Sequence, residues 1–89
     1  MERVFLLGSK MTSKEKAHEY IKEMLNFPDY YGRNLDALWD LLISCSNKTS
    51  IYLLNEEELY KDLGEYGKSI VEVFREAADL NDNIQFYNI

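Results

Sequence analysis

The chain predicts a small α/β fold, a three-stranded parallel sheet packed with about four helices, and three observations carry that expectation. Short apolar runs at Val4–Leu7, Ile51–Leu54 and Ile84–Tyr87 read as strands. The intervals between them repeat apolar residues at helical spacing. Each interval is also long enough for a crossover, and strands separated by helices pair in parallel through right-handed connections. At 89 residues, the chain is expected to form one domain over 1–89 with one modest core.

Taken in order, Val4–Leu7 is a buried strand between polar flanks and Gly8. Thr12-Ser13-Lys14-Glu15 offers a capping box, with the Thr12 oxygen and the Glu15 carboxylate satisfying free amides at a helix start. Ala17, Tyr20, Ile21, Met24 and Leu25 then form the apolar face of a first helix, which Asn26 and Pro28 end. In the loop Phe27–Arg33, Gly32 is expected to supply an unusual backbone angle. Asn34 suits the N-cap of a second helix and Asp36 its first turn, where negative charge complements the dipole. Leu35, Leu38, Trp39 and Leu42 share one stripe of that helix, while Asp36, Asp40 and Ile43 share the opposite side. Ser44–Ser50 is turn-like, and the apolar run Ile51–Leu54 suggests a strand buried on both faces. Asn55 is placed to cap a third helix over Glu56–Leu63 that Gly64 ends. Ile70, Val73, Phe74, Ala77 and Leu80 mark a fourth.

Composition narrows the function. A net charge of −6 opposes nucleic-acid binding, which depends on neutralising phosphates, and suits a basic partner. Cys45 is the sole cysteine, so an internal disulfide is excluded. The opening apolar run is too short for a signal-peptide core and nothing approaches a membrane span, so the cytoplasm is the expected location. No spacing suits a metal or a phosphate cradle, and neither a metal nor a cofactor is expected. His18, on the flank of the first helix and expected to be exposed, is the only imidazole. It forms no nucleophilic arrangement with Cys45 or a serine. Asp36 and Asp40, on a convex helix, lack the walled cleft that sets two carboxyl pKa values apart, so no enzyme is expected.

The run Tyr30-Tyr31-Gly32, then Asn34-Leu35-Asp36-Ala37-Leu38-Trp39-Asp40, resembles the signature segment of the barstar family of intracellular ribonuclease inhibitors. A second stretch, Val73-Phe74-Arg75-Glu76-Ala77, matches the same family. The order and length of the elements fit it from end to end. The resemblance implies the α/β architecture already derived. It also implies a role: the second helix and its preceding loop plug the RNA cleft of a basic, extracellular-type ribonuclease, in a one-to-one complex with a monomeric inhibitor. On that pattern Asp40 reaches deepest with Asp36 beside it, Tyr30, Gly32, Asn34 and Leu35 touch the partner, and Trp39 flanks the core with an edge at the interface. Ile43 sits outward beside the aspartates, and Glu76 is an outlying acidic contact. The chain departs from the pattern at Cys45, where an aromatic is expected, at Ile43, where a small polar residue is expected, and at Arg33, which puts a positive charge in the contact loop. An acidic interaction module on the same fold, binding another basic protein, is the alternative.

Overall fold

In a computed structural model, which describes residues 2–89, the elements run β1 (Glu2–Leu7), a 3-10 turn (Gly8–Lys10), α1 (Lys14–Leu25), α2 (Leu35–Ile43), β2 (Thr49–Leu54), α3 (Glu56–Leu63), α4 (Glu65–Leu80) and β3 (Ile84–Asn88). The three strands form one parallel sheet in the order β1-β2-β3, as the apolar runs predict. Phe5 pairs with Tyr52, and Tyr52 with Tyr87.

That strand order decides where the core lies. Two right-handed crossovers stepping the same way across a sheet leave all helices on one face. Val4, Leu6, Ile51, Leu53 and Ile84 face them and join Ile21, Leu38, Ile70 and Phe74 in one buried cluster. Phe74 of α4 stacks on Phe86 of β3 with centroids 5.3 Å apart.

No helix among the described residues covers the opposite face, so Tyr52 of β2 is only half-buried and the strand is not buried on both sides as its composition suggested. Phe5, Tyr52 and Tyr87 stand there as a ladder, with centroids 5.0 and 5.1 Å apart and ring planes within 20°. Phe5 is 50% exposed and Tyr87 44%. Gln85 accepts hydrogen bonds from Ser50 and Tyr87 on the same face. No helix among the described residues is long and apolar enough to cross a membrane.

Several local expectations need correcting. Ser13, not Thr12, is the N-cap of α1: its backbone is extended and its Oγ accepts from the Lys16 amide at 3.2 Å. Asn55 precedes α3 in a left-handed conformation with no side-chain cap bond. Its carbonyl instead accepts from Glu58 and Leu59. It also sits where any β-carbon on Gly8 would fall, at 2.1 Å. Met24 and Leu80, placed on apolar faces by spacing, are exposed. His18 is buried, because Tyr31 and Tyr66 close over it and bond both its ring nitrogens at 2.6 Å.

Candidate partner-binding surface

The surface is assembled from the loop after α1, the whole of α2 and the outer side of α4. Asn34 starts α2 by accepting from the Ala37 amide at 2.8 Å, while its Nδ2 donates back to Gly32 O. That cap fixes the helix phase. Leu38 and Leu42 therefore enter the core, Leu35 and Trp39 pack half-buried against it, and Asp36, Asp40 and Ile43 are exposed.

At its other end, α2 is held from outside. Asn81 Nδ2 donates to Leu42 O at 2.9 Å and Cys45 O at 3.0 Å, with Ile43 O at 3.3 Å, and Asn83 Nδ2 also reaches Cys45 O. These side chains satisfy carbonyls that a helix end leaves without partners. Cys45 is half-buried, with its Sγ toward Asn47 O at 3.3 Å.

The two loop tyrosines divide their roles. Tyr31 is buried, tilts against Phe27, and bonds His18 through its hydroxyl. Burial pushes its pKa well above the usual range, and the pKa of Tyr66 also rises through burial. Loss of solvent lowers the His18 pKa, favouring the neutral ring. Tyr30 points outward and is 80% exposed.

Gly32, expected to supply the unusual backbone angle, does not; Arg33 does, at φ 55°. Gly32 instead lies close to α2: a β-carbon there would sit 3.2 Å from Ala37 Cβ, a tight contact. The Arg33 side chain donates from Nε to the Glu19 carboxylate and from Nη1 to Tyr31 O at 3.0 Å. The Arg33 hydrogen bond lowers the Glu19 pKa.

Two recesses lie on this surface. Tyr30, Tyr31, Gly32, Ala37, Asp40 and Leu41 line one of about 160 Å³. Trp39, Glu76, Asp79 and Leu80 line another of about 270 Å³, where α4 packs beside α2. Residues distant in sequence thus meet: Tyr30 and Gly32 share a recess with Asp40, and Glu76 shares one with Trp39. Asp79 and Leu80 were missed by sequence reasoning, although Asp79 lies three positions after Glu76, a spacing that shares a helix face. Asp36, Asp40, Glu76 and Asp79 carry no ion pair among the described residues. The described residues also hold no group of three or more His, Cys, Asp or Glu side chains able to bind a metal.

Comparison with known proteins matches residues 1–88 to the family described as Barstar (barnase inhibitor). A Bacillus subtilis (strain 168) protein called "Putative ribonuclease inhibitor YrdF" is 39% identical over 80 residues, covering 89% of this chain and 88% of the relative. A match of that extent, on a three-stranded parallel sheet with four α-helices, places the chain in the barstar family.

Proposed function

We propose that the chain inhibits a small, basic, extracellular-type ribonuclease of the barnase kind by filling its RNA cleft, as a monomer in a one-to-one complex in the cytoplasm. The observation that carries this reading is the set of four carboxylates, Asp36, Asp40, Glu76 and Asp79, which form no ion pair among the described residues, with Asp40 sharing a recess with the exposed Tyr30 and Glu76 and Asp79 sharing one with Trp39. Such a surface presents negative charge where a ribonuclease expects phosphates, and it draws a basic partner in by its field. Asp40 borders the loop recess and acts on the enzyme's cations through charge-assisted bonds, with Asp36 one turn before it. Tyr30, Gly32, Asn34, Leu35, Trp39 and Ile43 supply contact area, and Glu76 steers from α4. Protection of the cell that makes the enzyme and immunity to a toxin domain both fit this arrangement.

The experiment is a titration of guanine-preferring microbial ribonucleases with the purified chain. Hydrolysis of RNA is expected to stop at one equivalent, competitively with substrate. The departures at Ile43 and Cys45 favour a second reading, an acidic module for a different basic partner. Full activity across the panel at micromolar chain leaves that second reading in place of the first.

A further inference from the structure

We infer that Arg33 is a positioning residue that locks the contact loop in its binding shape before any partner arrives, an inference that rests on the proposed function. Three observations converge on it. Arg33 adopts a left-handed backbone that a side-chain-bearing residue rarely takes. Its guanidinium bridges two structures, Glu19 on α1 and the Tyr31 carbonyl in the loop. Consecutive α1 residues, His18 and Glu19, therefore grip Tyr31 and Arg33 on either side of Gly32. Asn34 completes the hold by donating to Gly32 O. Between these ties the loop backbone has little freedom left, so the Gly32 backbone and the point from which Tyr30 projects are presented in one arrangement. A loop fixed in its bound form loses less entropy on association.

Charge alone predicts the opposite role. A cation beside an acidic face weakens attraction to a basic partner, so removing it would help binding. The two ideas therefore differ in sign. The fork geometry also matters: a lysine keeps the charge but cannot direct two donors along fixed directions.

The test compares Arg33→Gly, Arg33→Lys and Glu19→Ala with the parent chain in two measurements. Amide hydrogen exchange over residues 30–34 of the free protein reads the clamp without a partner. Stopped-flow and equilibrium binding to a ribonuclease that the parent inhibits read its consequence. Arg33→Gly removes the backbone strain, so its melting temperature is expected to hold or rise, while loop exchange quickens and affinity falls about tenfold. Arg33→Lys is expected to lose affinity as well, and Arg33→Gly combined with Glu19→Ala to lose no more than Arg33→Gly alone. Affinity that rises in Arg33→Gly, or stays at the parent value in Arg33→Lys, overturns the inference. Should no ribonuclease bind the parent, the proposed function falls and exchange decides the clamp: faster loop exchange in Arg33→Lys supports it, and unchanged exchange overturns it.

Discussion

Replacing His18 by glutamine is expected to remove a component of acid sensitivity from the fold. His18 is buried between the hydroxyls of Tyr31 and Tyr66, and burial lowers its pKa from the ordinary 6.5. The unfolded chain therefore binds a proton at a higher pH than the folded one. Stability falls as the pH drops below 6.5 toward the folded pKa and levels off beneath it. The limiting slope is ~1.4 kcal/mol per pH unit, and for a ring that stays neutral in the fold the loss between pH 7 and 5.5 is at most about 1.3 kcal/mol. No other side chain has an ordinary pKa in this window, because His18 is the only histidine and Cys45 the only thiol. Urea unfolding at half-unit steps from pH 7 to 5.5 measures the slope. The variant should be less stable at every pH by ~1–3 kcal/mol, since the buried Tyr31 hydroxyl and the half-buried Tyr66 hydroxyl lose their partner, and its profile should be the flatter one. Parallel profiles for parent and variant refute the assignment. A ring resonance of the parent titrating at or above pH 6.5 refutes it even if the variant does not fold.

Three further outcomes are expected. Asp40→Ala should weaken ribonuclease binding by ~2–5 kcal/mol, a scale set partly by barstar complexes themselves rather than by this structure; Glu76→Ala should cost less and act more on the association rate, and equal losses in stopped-flow and titration data contradict the arrangement. Asn81→Ala should destabilise the chain by ~1 kcal/mol, since the hydrogen bonds from Nδ2 are lost while Leu42 O keeps the Cys45 amide and Cys45 O keeps Asn83 Nδ2. Asn81→Asp should be at least as harmful, because a carboxylate cannot donate, and denaturant midpoints equal to the parent's refute the role. Gly8→Ala should cost upward of ~2 kcal/mol in thermal unfolding, since its β-carbon would lie 2.1 Å from Asn55 O; a neutral result shows that the two segments separate freely.

What the sequence disclosed and what it hid follow from the range of each interaction. Strands and helices were legible because Val4, Leu6, Ile51 and Leu53, or Leu38 and Leu42, announce their faces through local period. The exposed position of Asp36 and Asp40 followed from the same stripe. His18 was misjudged because the groups that bury it, Tyr31 and Tyr66, lie 13 and 48 positions away. Residue type assigns the unusual backbone angle to Gly32, whereas Arg33 adopts it, with its side chain bonded to Glu19, 14 positions away. Asn81 carries no local signal of its role, because its hold on α2 reaches carbonyls 36 to 39 positions away. Half-burial of Tyr52 is a topological result: composition says that a strand is apolar, and only strand order says which of its sides is covered.

The aromatic ladder on the sheet face opposite the helices has a kinetic consequence. Each of its rings comes from a different strand, and parallel neighbours cannot meet through a tight hairpin. Ser50 and Gln85, beside the ladder, are 35 positions apart. Helices assemble from local contacts, whereas each pair of rungs in this sheet forms only once a long crossover has closed, and the full ladder needs two such closures. Stacking of Phe5 on Tyr52 and of Tyr52 on Tyr87 therefore waits for both crossovers to close. The stacked rings report closure of the sheet rather than formation of the helices.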